Sequence, residues 1–160
     1  MKIWLVGMPG SGKTTVGSLL ADRLELPFVD VDAKIEARAG RDAGAIFAEK
    51  GEEGFRSLER EAIAELARDG DAVIAAGGGA VIDAANREAM RASGRVVLLE
   101  AAPEVLAVRL EGAPRPVTAG ADLGRLLRDR AAAYEAAAHL VVDARGPLEA
   151  IVDHILERLA

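Results

Sequence analysis

The sequence predicts an α/β sandwich, a parallel sheet held between layers of helices. Three observations predict it: short aliphatic runs recur without polar alternation, amphipathic helical patterns separate them, and a glycine-rich turn joins the first run to the first helix. Residues 3–6, Ile-Trp-Leu-Val, form the first strand, because four apolar residues in a row suit a strand covered on both faces. Val16, Leu19, Leu20 and Leu24 then recur at helical spacing. Residues 28–31 make a weaker second strand. Ile46, Phe47, Phe55, Leu58, Ala62, Ile63 and Leu66 mark one face of a helix. Further strands at 72–76, 96–99 and 140–142 alternate with helices at about 83–92, 103–110, 122–138 and 147–159. Pro103 and Pro147 stand at the first turn, where a missing N–H costs nothing. Strand and helix in repetition imply right-handed crossovers. Residues 111–121 carry two Gly and two Pro between helical patterns, which predicts an exposed loop. No linker or repeat divides the chain, so residues 1–160 are expected to form a single domain.

The charge balance narrows the function classes. Twenty Lys and Arg against 26 Asp and Glu give a net charge of −6, with no long basic run. Binding to duplex nucleic acid or an anionic membrane needs phosphates neutralised over a wide surface, and this chain lacks the means. Aromatic residues are 3% of the chain, too few for a platform that stacks single-stranded bases. No apolar stretch approaches the roughly 18 residues that span a bilayer, and the opening run is shorter than the about 7–15 of a signal-peptide core. The absence of cysteine excludes disulfides, thiolate metal sites and Cys nucleophiles, and fits a reducing, cytoplasmic setting. A small anionic ligand in a local basic pocket remains allowed.

Gly7-Met8-Pro9-Gly10-Ser11-Gly12-Lys13-Thr14 fits G-x-x-x-x-G-K-[ST], after an apolar strand and before an amphipathic helix. Its glycines let backbone N–H groups curl around phosphate oxygens while the helix aims its positive end at the same charge. Lys13 would reach the β/γ oxygens and the Thr14 hydroxyl would hold Mg²⁺. Asp30 and Asp32 stand at i and i+2 and would project from one face of an extended strand, at the crevice end of the sheet. A cation between them would relieve their repulsion, and one of them could take the proton of a hydroxyl substrate. Asp32, preceding Ala33, also suits a helix cap.

Gly77, Gly78 and Gly79 end a strand and permit close backbone approach to a ligand, or simply a tight turn. Arg56 and Glu59, three apart, share a helix face; alone, that spacing describes a surface ion pair. Arg130 read alone is a solvated helix arginine. Arg109 and Arg115 border the expected loop, where an arginine could close on a transferring phosphate.

In order along the chain, GMPGSGKTTVG at 7–17, DVD at 30–32, FRSLE at 55–59, GGGAV at 77–81, RP at 115–116 and RAAAY at 130–134 resemble shikimate kinase over essentially the whole length. The resemblance implies a three-layer P-loop kinase fold with a five-stranded parallel sheet in the order 2-3-1-4-5. It also implies a substrate-binding segment about 32–61, a lid about 111–121, and Mg²⁺ and ATP acting on shikimate in a monomer. By the family pattern Asp32, Lys13 and Arg115 are catalytic. ATP would meet Gly10, Ser11, Gly12, Lys13, Thr14, Thr15, Arg109, Arg115, Arg145 and Pro147. Shikimate would meet Asp32, Arg56, Glu59, Gly77, Gly78, Gly79 and Arg130, and the metal Thr14 directly and Asp30 through water. The chain departs from the pattern at Ala132 and Ala133, where the family carries Pro and Leu. A kinase of another small hydroxy acid such as gluconate, or a nucleotide-binding module without turnover, are the alternatives.

Overall fold

A computed structural model of the chain describes residues 1–110 and 122–160. The expected 111–121 loop, and Arg115 with it, lie outside the described residues. β1 (Lys2–Val6) is buried at every position, which explains the missing alternation, and a glycine-rich turn leads from it into α1 (Lys13–Leu24). The chain continues through β2 (Phe28–Asp30), α2 (Val31–Ala39), α3 (Ala43–Arg68), β3 (Ala72–Ala75) and a 3-10 turn at Ala80–Ile82. Then come α4 (Ala84–Ser93), β4 (Arg95–Glu100), α5 (Pro103–Leu110), α6 (Leu123–Ala137), β5 (Leu140–Asp143) and α7 (Leu148–Leu159).

The strands pair in parallel in the order β2-β3-β1-β4-β5, as the resemblance implied. After β1 the chain goes outward to β2, returns to fill β3, and crosses to β4 on the far side. Such a reversal opens a crevice beyond the C-terminal ends of the strands. The register fixes what meets there. Leu5 and Asp30 both pair with Ala75, so the ends of β1, β2 and β3 release their following loops side by side. Ile3, Leu5, Val73, Ile74, Val96 and Val97 make the sheet's share of the core, and Leu20, Ile63 and Ile155 make that of the helices. Trp4 is fully buried and its indole N–H donates to Ser93 Oγ at 3.0 Å, so the large ring costs no orphaned donor.

Four expectations change. β2 ends at Asp30 because the Asp30 carboxylate accepts the Ala33 amide at 3.1 Å and caps α2. Asp32 therefore sits in the first turn of α2, neither on a strand nor at the cap. The long helix α3 bends at Gly51, whose φ of 72° and ψ of 179° are not helical. β5, at the edge, alternates: Leu140 and Val142 face inward, while Val141 and Asp143 face outward. Pro147 precedes α7 as its cap, with φ −66° and ψ 144°, and Leu148 begins the helix. Among the described residues no helix is long and apolar enough to cross a membrane.

Candidate active site

Gly7, Gly10 and Gly12 take φ values of 151°, 84° and 96°, which close the turn in conformations that residues with a Cβ rarely adopt. Gly12 caps α1 with no side chain, and the N–H groups of Thr14 and Thr15 in the first turn have no partner among the described residues, which leaves them for a ligand. Lys13 folds back over the turn and donates to the carbonyls of Gly7 at 2.7 Å and Met8 at 3.1 Å. The Thr14 hydroxyl donates to Asp30 Oδ2 at 3.0 Å. One hydroxyl and one carboxylate oxygen are hard donors of the kind Mg²⁺ accepts when nucleotide phosphates complete its shell.

Two cavities meet at Lys13 and Thr14. The smaller, about 370 Å³, is lined by Gly10, Ser11, Gly12, Lys13, Thr14, Thr15 and Val16, with Arg109 and the turn after β5. Arg109 donates to the carbonyls of Gly10 at 3.3 Å and Ser11 at 3.2 Å, and to Ala144 O at 2.7 Å, tying that turn to the glycine-rich loop. Arg145 and Pro147 do not line this cavity; Ala144, Gly146, Leu148 and Ile151 do. The Arg145 guanidinium turns back to Asp143 at 2.8 Å, an exposed pair that lowers the Asp143 carboxyl to about 2.

The larger cavity, about 690 Å³, gathers Asp30, Asp32, Arg56, Glu59, Gly77, Gly78, Gly79 and Arg130. Arg56 Nη1 donates to both Glu59 oxygens, at 2.9 and 3.1 Å. Glu59 is 0% exposed and Arg130 is 4% exposed, so neither a surface ion pair nor a solvated arginine describes them. Asp32 Oδ1, Arg56 Nη2, and Arg130 Nε and Nη1 are buried with no hydrogen-bond partner among the described residues. Four orphaned polar atoms at one cavity demand a ligand that satisfies them. Two forked guanidiniums suit a carboxylate, and the neighbouring carboxylate suits a hydroxyl.

The three glycines are explained by the side chains around them. A Cβ on Gly77 would stand 2.9 Å from both Asp32 Oδ1 and Glu59 Oε2; one on Gly78, 2.8 Å from Pro9 Cδ; one on Gly79, 2.7 Å from Arg56 Cζ. Burial raises the Asp32 carboxyl above its ordinary range and Asp30 adds to the effect, while Lys13 and Arg56 pull it back. Burial raises Glu59 as well, against the opposing pull of Arg56.

Several residues in or beside the larger cavity were given no site role by the sequence. Phe47 and Phe55 read as core positions of a helix, yet the bend at Gly51 lies between them and their rings stack 4.7 Å apart at the cavity. Arg56 Cζ lies 5.7 Å from the Phe55 ring centroid. Glu36 reads as a plain helix acid; its Oε2 accepts the Ala43 amide at 2.8 Å, linking α2 to the start of α3. Tyr134, one turn after Arg130, donates its hydroxyl to Gly78 O at 2.6 Å.

A parallel sheet of this order, with a phosphate-binding turn after its central strand and a second cavity beside it, is a P-loop kinase fold. A sequence model of shikimate kinase matches residues 9–160. The chain is 50% identical over 168 aligned positions to a shikimate kinase of Symbiobacterium thermophilum, covering 99% of this chain and 96% of that one. A shikimate kinase from Acinetobacter baumannii, solved in complex with shikimate, superposes with a TM-score of 0.90 at 34% identity, covering 99% of this chain and 92% of that one. A gluconokinase from Sinorhizobium meliloti covers 99% and 93% with a TM-score of 0.60 at 21% identity, a likeness of fold alone. The chain belongs to the shikimate kinase family.

Proposed function

We propose that this chain transfers the γ-phosphoryl group of ATP to the 3-hydroxyl of shikimate, giving shikimate 3-phosphate and ADP. The observation that carries this reading is the set of buried atoms on Asp32, Arg56 and Arg130 that have no partner among the described residues, at one cavity joined at Lys13 and Thr14 to the cavity of the phosphate-binding turn. Arg56 and Arg130 grip the carboxylate of the acid, and Glu59 holds Arg56 in place for it. The N–H groups of Gly78 and Gly79 complete that grip. Asp32 orients the 3-hydroxyl and takes its proton as the oxygen bonds to the γ-phosphorus and the bond to the bridging oxygen of ADP breaks.

Lys13 and the N–H groups of Thr14 and Thr15 hold the phosphates, and the family pattern assigns Arg115, on the lid segment of about 111–121 outside the described residues, to the same phosphates. Thr14 and, through water, Asp30 would hold Mg²⁺, which when bound neutralises charge on the β- and γ-phosphates. The nucleotide base lies between Arg109 and the turn at Ala144 and Gly146. We further propose one domain whose substrate-binding segment is about 32–61. We also propose that the chain works as a monomer in the cytoplasm.

A coupled ADP-release assay with an acceptor panel tests the reading. Shikimate is expected to drive ADP release and gluconate to leave it at the level seen without acceptor. ADP release stimulated by gluconate, or no release above the acceptor-free level with shikimate, would overturn it.

A further inference from the structure

Gly77 to Ile82 is a segment in which every carbonyl is occupied. Gly77 O accepts the Ala80 amide at 3.1 Å and Gly79 O the Ile82 amide at 3.2 Å. Asn86 Nδ2 donates to Ala80 O at 3.0 Å, and Arg87 Nη1 donates to Val81 O at 2.7 Å and Ile82 O at 3.1 Å. The remaining carbonyl, Gly78 O, accepts the Tyr134 hydroxyl. By contrast the N–H groups of Gly78 and Gly79 have no partner among the described residues, and both glycines line the larger cavity. Buried backbone groups are nearly always paired, so this imbalance points to an anion supplied from the cavity.

The turn itself does not select this arrangement. With Ala80 N on Gly77 O and Gly79 at φ −97°, ψ 1°, residues 77–80 form a type I turn. Glycine in the third position also admits the type II form, in which the central peptide is turned over. The Gly78 carbonyl and Gly79 N–H belong to that one planar trans peptide and point in opposite directions. Turned over, it would present a carbonyl where an anion is to bind.

We propose that Tyr134 is a positioning residue for the substrate carboxylate: its hydroxyl locks the Gly78–Gly79 peptide so that the Gly79 N–H is offered to the cavity beside Arg56. Tyr134 is 2% exposed and lies one turn from Arg130 on α6, so one helix supplies a guanidinium of the clamp and the latch on its backbone donor. Burial holds the phenol above its ordinary range, with Arg130 opposing, so it stays a donor. The inference rests on the shikimate kinase reading.

Tyr134→Phe removes the hydroxyl and keeps the ring. The shikimate KM is expected to rise about tenfold, the effect of one hydrogen bond to a charged group, with the ATP KM nearly unchanged and the melting temperature lowered by only about 2–4 °C. In ¹⁵N relaxation dispersion of the free variant, the Gly79 amide is expected to show peptide-flip exchange that is absent from the wild type. An unchanged shikimate KM, or an equal rise in both KM values, would overturn the proposal. Should the variant not fold, the wild type decides: its Gly79 amide resonance must move when shikimate is added, and a stationary resonance overturns the latch. Wild-type protein that does not turn over shikimate would instead defeat the functional reading itself.

Discussion

Asp32 feels opposing influences, with burial and Asp30 raising its pKa while Lys13 and Arg56 lower it, and the balance lies above the ordinary aspartate value of 3.8. A base works best when its pKa approaches the operating pH, so this balance suits a group that receives a proton from a hydroxyl. Asp32→Asn keeps the size and loses the base; kcat is expected to fall by about 10²–10⁴, with ATP affinity intact by isothermal titration. Turnover equal to wild type would remove Asp32 from the mechanism. The sign of the pH effect follows from the same group. Only ionised Asp32 accepts a proton, so kcat/KM for shikimate falls as pH drops through its raised pKa, and the acid limb should inflect above 3.8. A pH–rate profile with its limb at or below that value contradicts the assignment. Arg130 lines the larger cavity and has two buried nitrogens, Nε and Nη1, with no hydrogen-bond partner among the described residues. Arg130→Ala should therefore raise the shikimate KM by about 100-fold through lost charged hydrogen bonds, leaving the ATP KM near wild type in steady-state kinetics.

At the scale of elements, α3 matters most because Phe55, Arg56 and Glu59 ride on it. Its far end is held by Lys2 at the start of β1, whose Nζ donates to Leu66 O, Ala67 O and Asp69 O at 2.6, 3.0 and 2.7 Å. Lys2 is 7% exposed, so Lys2→Met would leave those carbonyls poorly solvated. The variant is expected to lose about 1–3 kcal/mol of stability in urea unfolding; an unchanged midpoint would mean that water replaces the amine. The elements show where the sequence was readable. Aliphatic runs and helical periodicity located the strands and most helices, since burial on both sheet faces and on one helix face writes itself into residue order. The junction at Asp30-Val31-Asp32 did not read correctly, because i, i+2 strand spacing and a helix cap suit the same residues. The Ala33 amide decides it, and that contact exists only once α2 has formed. The bend at Gly51 was equally silent: apolar periodicity resumes beyond it, and glycine permits a bend without requiring one.

For the whole molecule, the sheet order turns distant residues into neighbours. Parallel register sets the ends of β1, β2 and β3 side by side, and α6 brings Arg130 to the loop that follows β3. The phosphate-binding half of the site was readable because one contiguous stretch makes it, strand to turn to helix. The half proposed to bind the acid is assembled from residues as far apart as Asp32 and Arg130. An arginine and a glutamate three apart look alike whether solvated or sealed, and only tertiary packing buries Glu59 completely. The order of short motifs, each weak alone, is what made this half visible in the sequence. Arg145 shows the limit of carrying a pattern over residue by residue, since its side chain pairs with Asp143 while the turn around it lines the cavity. The most direct measurement is a crystal structure of the chain with shikimate and ADP bound. The shikimate carboxylate should lie within hydrogen-bonding distance of Arg56 Nη2 and of Arg130 Nε or Nη1, with the 3-hydroxyl on Asp32 Oδ1. A shikimate bound elsewhere, or seated with its carboxylate turned away from both guanidiniums, would contradict the account.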